Sequence, residues 1–287
     1  MFVAEPFGRP LGLFLQGGGA LGAWQIGALE VLDAAGLRFD AVMGYSIGVV
    51  NGTALAFGRL AEALAHWRRM GGGAMALSPR LKPFSLFSAR PLRSFFDAAL
   101  DDEAAKEALL MELTVVTACP ALGAPINARF TPGARDGWDG PLVEHAAASC
   151  AVPLVFPPVD LDYRGRRVRL YDGGVPMPQP LDFSPLSHCA DVLVLEMVRA
   201  DEFGRRAYTP WRSVDQRSRE AGRELVDGGI AGLLRSERPP RTYRLAPSRR
   251  LEPLILDFRA AAIHDMLARG AADARSFLAD PSRWRAE

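Results

Sequence analysis

The chain has 287 residues, 49% of them apolar, and a formal net charge of +1 at pH 7. That length can bury a substantial core in one large domain or two small ones, and the near-neutral balance gives no ground for a nucleic-acid partner. Three dispersed cysteines, Cys119, Cys150 and Cys189, have neither metal-ligand spacing nor the even number of a disulfide framework. The first ten residues, "MFVAEPFGRP", are too short and proline-broken for a signal peptide, and no run of about 18 uncharged apolar residues follows. The expectation is a soluble cytoplasmic protein without a metal or cofactor.

The apolar run Leu11–Gln16 ahead of three glycines reads as a buried strand. Ala20–Ala35 has helical periodicity and stops at Gly36. A second short strand falls at Ala41–Tyr45, and a helix starts after Ser46. Leu60–Met70 reads as a helix, and Gly71–Arg93 is broken by glycine and proline. "ELTVVTAC" and "PINARF" read as strands, Pro141–Ser149 as a helix, and "VDLDYRGRRVRLYDGG" as a hairpin turning at Arg164-Gly165. "DVLVLEMV" is a strand, Trp211–Arg235 a long polar helix and Leu256–Ala279 a last helix. The β-α-β-α order predicts a three-layer α/β/α fold with a mainly parallel central sheet. One domain over residues 1–287 is expected, with a motif core at about 11–181 and a C-terminal helical part at about 205–280.

Gly17-x-Gly19-x-x-Gly22 matches a dinucleotide-binding fingerprint. Such a site also needs an acid at the end of the second strand to bind ribose hydroxyls. Asp40 precedes that strand, and no lysine is near enough for a phosphate-binding P-loop. The second strand ends instead in "GYSIG", Gly44-x-Ser46-x-Gly48, between strand and helix. A serine in that context projects its hydroxyl over the sheet edge from a strained turn. The glycines on either side leave room for helix and strand to approach.

A serine nucleophile needs a base. His66, His145, His188 and His264 lie in no glycine-turn or strand-end context, although a Ser…Asp…His order remains available through His188 or His264. Asp172, at a strand end with Gly173 and Gly174 behind it, can approach another turn closely; alone it would read as an ordinary turn acid.

Four segments stand in order: "GGGALG", "GYSIG", "ASCAVPLVFPP" (Ala148–Pro158) and "DGG". Together they resemble the patatin-like phospholipases, lipid acyl hydrolases that work with a Ser–Asp dyad. The resemblance implies Ser46 as nucleophile and Asp172 as its base. It implies an oxyanion hole at Gly17, Gly18 and Gly19, to which the Ile47 amide can add, and matches Ser149, Pro153 and Pro157 to the third block. Gly22, Gly44, Gly48, Gly173 and Gly174 support these motifs. Two positions depart from the family pattern: Leu21 stands where a basic residue is usual, and Pro178 replaces an asparagine, with Pro180 kept. The implied substrate is a fatty acyl ester, a phospholipid or lysophospholipid. An acyltransferase using the same serine, or a weakly active or non-catalytic lipid-binding member, are the alternatives.

Phe84, Phe87, Phe95 and Phe96 alternate with Arg80, Lys82, Arg90 and Arg93, which fits a lid, a surface resting on a membrane, or an ordinary capping loop. Arg164, Arg166, Arg167 and Arg169, and the stretch Arg235–Arg250, read as solvated basic faces, with headgroup contact as the sharper option. The oligomeric state is left open.

Overall fold

The computed structural model describes residues 7–70, 77–81, 84–87, 102–133, 137–202 and 209–286. Its main sheet has eight strands. Five form a parallel set in the order β10 (Arg241–Leu245), β9 (Asp191–Leu195), β1 (Leu11–Leu15), β2 (Ala41–Gly44), β5 (Glu112–Cys119). The parallel strands read as near-continuous apolar runs because both faces are covered: β1, β2 and β9 are buried along their whole length.

Alternation along β1 assigns the layers. Leu13 and Leu15 join one core with α1 (Gly22–Ala34), α2 (Ile47–Ala56), α3 (Leu60–Arg69) and α7 (Ala260–Ala279). Phe14 points to the other face, where Val226, Ile230 and Leu233 of α6 (Pro210–Leu234) cover it with Leu181 and Phe183. The three layers are therefore helix, sheet and helix, as the β-α-β-α order predicts. Beyond the parallel set, β6 (Ala124–Phe130), β8 (Arg166–Asp172) and β7 (Val159–Tyr163) add antiparallel strands, with α5 (Leu142–Ser149) packed on the β7–β8 hairpin.

β5 decides where the hairpin goes. Its whole length from Leu113 to Cys119 pairs with β6 on one edge. On its other edge β2 reaches only as far as Gly44 opposite Val115. Thr117 and Ala118 are then left for β8, which places Asp172 beside Thr117. The end of β8 thus occupies the line that β2 leaves when it turns into α2.

Several boundaries differ from the sequence expectation. The helix expected from Ala20 opens with a short 3-10 turn at Gly19–Leu21, and the one expected from Leu256 starts at Ala260. Arg235–Arg250 is a solvated face only in part: Arg235, Arg238 and Arg249 are exposed, but the stretch also contains β10, whose two arginines pair with acids of neighbouring elements. Arg241 binds Asp191 through Nε at 2.6 Å, and Arg244 binds Glu196 and Asp227. The part after residue 205 therefore supplies a strand as well as helices. The β7–β8 hairpin is charge-matched on its surface, Arg169 to Asp160 and Arg167 to Asp162. Within the broken stretch, β3 (Leu77–Leu81) and β4 (Phe84–Phe87) pair antiparallel; Lys82, Arg90, Arg93, Phe95 and Phe96 lie outside the described residues. The remaining short helix is α4 (Asp102–Ala108). Among the described residues no helix is long and apolar enough to cross a membrane, and no group of three His, Cys, Asp or Glu could hold a metal ion.

α1 and α7 meet backbone to backbone. A Cβ on Gly270 would stand 1.8 Å from the Trp24 carbonyl oxygen, and one on Gly27 would stand 2.3 Å from that of Leu267. Gly270→Ala is therefore expected to force the helices apart and destabilise by about 1–3 kcal/mol. Gly232→Ala, in α6 with open space at its Cβ, should be neutral or stabilise by up to about 1 kcal/mol through helix propensity. Urea midpoints compare them; a wild-type midpoint for Gly270→Ala refutes the close contact.

Candidate active site

The chain leaves β2 at Gly44, passes Tyr45 and turns into α2 at Ile47. Ser46, at the corner, has φ 54° and ψ −131°. A positive φ in a non-glycine residue is held at a cost of about 1–3 kcal/mol and persists only where its surroundings fix it. Here they do. The Ser46 amide donates to both the carbonyl and the hydroxyl oxygen of Ser149, each at 3.0 Å. The Ser149 hydroxyl donates onward to the Val116 carbonyl at 2.6 Å. The Cys150 thiol donates to the Ser46 carbonyl at 3.3 Å. Both flanking glycines are required by space: a Cβ on Gly48 would stand 2.2 Å from the Leu15 carbonyl oxygen, and one on Gly44 would stand 2.9 Å from it.

Ser46 occupies the N-cap position of α2, where a serine hydroxyl ordinarily accepts from the first amides of the helix. It makes no such bond. It faces Asp172 instead. That carboxylate is 5% exposed, and burial pushes its pKa up from 3.8 to about 6, against the opposing pull of the Ser46 hydroxyl and the Gly174 amide. Oδ1 accepts from Gly174 N–H at 2.8 Å. Oδ2 is buried with no hydrogen-bond partner among the described residues. Burial and the same carboxylate also push the Cys150 thiol and Tyr45 phenol upward. The Asp172 turn closes through Asp172 N–H to Ala151 O and Val175 N–H to Asp172 O, both 3.0 Å. A Cβ on Gly173 would stand 2.5 Å from the Val116 carbonyl oxygen and 2.6 Å from Tyr45 Cβ, so the aspartate turn is pressed on the backbone of β5 and on Tyr45 beside the serine.

The glycine loop completes the group. A Cβ on Gly17 would stand 2.8 Å from Ser46 Cβ, and one on Gly22 would stand 2.5 Å from Ile47 Cγ1. Gly19 has φ 55°. The Gly17 amide lies by the Tyr45 hydroxyl. The amides of Gly18, Gly19 and Ile47 have no acceptor among the hydrogen bonds of the described residues. The site thus presents free N–H groups at a loop and a helix N-terminus, where developing negative charge is favoured. Leu21 is fully buried in the core, and its amide donates to Gly18 O at 3.1 Å; an apolar anchor stands where the family pattern carries a base.

Ser46, Ser149, Asp172 and the glycines of the loop, elbow and aspartate turn come together, and the histidines do not join them. His188 faces Glu112 at 3.8 Å. Glu112 is opposite Ala41, at the far end of β2 from Ser46. His264 points its Nε2 at the Arg68 carbonyl, 2.9 Å away, and His66 lies on α3. His145 is buried between the rings of Phe130 and Tyr163, and burial lowers its pKa to about 4. Asp40, the acid a nucleotide site would have used, accepts from Leu11 N–H at 2.6 Å and pairs with Arg9. Sequence reasoning missed what Ser149 and Gln16 do. Gln16 Oε1 accepts from Met197 N–H at 2.6 Å and its carbonyl accepts from Gln25, tying the loop to β9's end and to α1. A polar residue closing an apolar strand was the available signal.

The corner thus holds a serine elbow over a mainly parallel α/β sheet, facing a buried carboxylate and loop amides that are free among the described residues. The sequence pattern of the patatin-like phospholipase family matches residues 13–183. The chain belongs to that family. It is 31% identical over 197 residues to an NTE family protein of Mycobacterium tuberculosis, a match covering 67% of this chain and 50% of that one. A 45-residue stretch is 49% identical to the lysophospholipase nte1 of Aspergillus terreus, covering 16% of this chain and 3% of that one. The chain thus spans half or less of the length of these relatives. The crystal structure of VipD from Legionella pneumophila aligns over 95% of this chain and 67% of that one, at 13% identity and a TM-score of 0.49.

The raised pKa of Asp172 is a stability statement. Between pH 4 and 6 the folded chain holds a proton that the unfolded chain has released, so stability falls as pH rises through this window. Asp172→Asn keeps Oδ1 for the Gly174 amide and removes the buried charge. It is expected to be more stable than wild type at pH 8 by on the order of 2–3 kcal/mol, with the two converging below pH 4. Equal urea midpoints at pH 8 refute the burial of an ionised carboxylate.

Proposed function

We propose that the chain is a serine acyl hydrolase that cleaves fatty acyl esters of phospholipids or lysophospholipids through a Ser46–Asp172 dyad. The observation that carries it is the Ser46 hydroxyl, withdrawn from its capping role and facing a carboxylate whose Oδ2 is buried and unpartnered. Family membership and a relative named as a lysophospholipase support the lipid class.

In this reading Ser46 Oγ attacks the ester carbonyl as Asp172 Oδ2 takes the hydroxyl proton. The tetrahedral oxyanion forms against the amides of Gly18 and Gly19, with Ile47 N–H at the head of α2 adding to them. As the C–O bond to the alcohol breaks, Asp172 returns the proton to the leaving oxygen. Water then attacks the acyl-serine, gives a proton to Asp172, and the fatty acid leaves as Ser46 recovers its hydrogen. No histidine is needed because burial brings the carboxylate to about 6, closer to the operating pH than an ordinary aspartate. The free amides have a large role: losing one such donor costs about 10²–10³ in turnover.

Ser46→Ala and Asp172→Asn are each expected to lower hydrolysis of p-nitrophenyl butyrate by at least about 10³ while leaving circular dichroism unchanged. Only Ser46→Ala should lose the nucleophile that a fluorophosphonate probe labels. Near-normal turnover by Asp172→Asn rejects the dyad. The base must be ionised, so kcat/KM should fall tenfold per pH unit on the acid side of an apparent pKa of about 6. An acid limb near 4 refutes the raised pKa, and an acid limb unchanged in the residual activity of Asp172→Asn refutes Asp172 as the base.

A further inference from the structure

Gly19 is held by a segment far from it in sequence. The Ile255 carbonyl accepts the Ala20 amide at 2.8 Å and stands 2.1 Å from where a Gly19 Cβ would be. That carbonyl therefore sits flush against the loop and fixes the Gly19–Ala20 peptide. The Ile255 amide is fixed in turn, donating to Asp215 Oδ1 on α6 at 2.8 Å. Asp215 Oδ2 accepts from Arg219 Nε at 2.8 Å, and Arg219 Nη1 reaches Glu202 at 3.2 Å. Arg219 Nη2 donates to the carbonyls of Leu251 and Pro253, at 3.0 and 2.7 Å. The three side chains are 2–4% exposed. The family match ends at residue 183, so Glu202, Asp215, Arg219 and the segment 251–255, which hold the loop, all lie beyond it.

We propose that Asp215 and Arg219 are positioning residues for the oxyanion loop, acting through the strap 251–255 and the Ile255 carbonyl. The proposal rests on the Ser46 hydrolase reading above, because it assigns the loop amides to the oxyanion. Three successive glycines have little conformational preference of their own. Their N–H groups converge only if something outside the loop fixes the peptide planes. Arg219 supplies the direction: one rigid guanidinium holds two strap carbonyls and orients Asp215, which keeps its second oxygen for Ile255. Neither residue touches substrate. Their removal should disturb the transition state more than the ground state.

The test compares Asp215→Ala, Asp215→Asn and Arg219→Lys with wild type and Ser46→Ala, at equal folded concentration measured by circular dichroism. Substrate is p-nitrophenyl butyrate, and the transition-state probe is an alkyl trifluoromethyl ketone, whose serine adduct carries an oxyanion. Asp215→Ala is expected to lower kcat by roughly 10–100-fold and to weaken the ketone by the same factor, with KM changed less than about twofold. Asp215→Asn retains an acceptor for Ile255 N–H and should stay within about threefold of wild type. Arg219→Lys cannot serve both strap carbonyls and both acids with the same fork, and should show the ketone and kcat losses together. If Asp215→Ala does not fold, Arg219→Lys is decisive on the same two readouts. Wild-type kcat in the folded variants, or a kcat loss without weaker ketone binding, overturns the proposal. Retained activity in Ser46→Ala instead overturns the hydrolase reading on which it stands.

Discussion

The Leu15 carbonyl, at the end of β1, is the point over which the site is folded. Tyr45 N–H approaches it at 3.4 Å, and neither Gly44 nor Gly48 leaves room for a side chain beside it. The turn from β2 into α2 therefore has to cross that oxygen with bare backbone on both sides, and Ser46 is driven into a positive φ between the two glycines. The glycine loop begins two residues after the same carbonyl, so loop and elbow share one foundation. Because the loop follows β1 and the elbow follows β2, the register Leu15 opposite Gly44 sets where the free amides stand relative to Ser46.

Bringing a carboxylate to this corner is a matter of strand length. β5 extends past the point where β2 stops, and its free edge at Thr117 and Ala118 is taken by β8 from the opposite direction. β8 then ends at the aspartate, with Gly173 pressed on Val116 and Tyr45. The same crowding that permits the approach removes water from Asp172 and pushes its pKa to about 6. Proximity and basicity have one cause. In a protein with a histidine base, a third group orients the ring; in the dyad proposed above the Gly174 amide on Oδ1 would orient the carboxylate directly, and Oδ2 stays unpartnered among the described residues.

Most of this arrangement was legible because glycine spacing is a direct imprint of backbone contact. Gly17, Gly19, Gly22, Gly44, Gly48 and Gly173 each have a neighbour that a Cβ would strike, and at Gly18 and Gly174 it would meet a side chain at 3.0 Å. The strands of the parallel set were legible as apolar runs, with β10 the exception. "RTYRL" alternates charge and apolar character and sits in an arginine-rich stretch, so it reads as surface until Asp191 and Glu196 are placed beside it. Pairing across 50 residues has no local signature. Ser149 was placed by resemblance alone, since one serine among alanines shows neither its two-way hydrogen bond nor the turn it braces. The start of α7 was misjudged because Leu256 looks helical by hydropathy, whereas Asp257 accepts from the Arg259 amide at 3.2 Å and holds the chain in a turn ahead of Ala260.

The C-terminal part shows why a buried charge network can sit beside a site it does not touch. Buried ion pairs add little net stability over apolar residues of the same volume, because desolvation offsets the attraction. An apolar filler between α6 and the strap would therefore fold about as well. What it would lack is direction. Arg219 fixes four acceptors in one plane, and Asp215 spends one oxygen on it and the other on the Ile255 amide. The result is a strap whose carbonyls point in set directions, and one of them meets the glycine loop. The remaining polar contacts around the loop follow the same logic: Gln16 binds Met197, Gln25 binds Gln16, and Asn51 joins Gln25 to Trp67. A glycine-rich loop has no packing of its own to define it, so its shape is written in hydrogen bonds contributed by the elements around it.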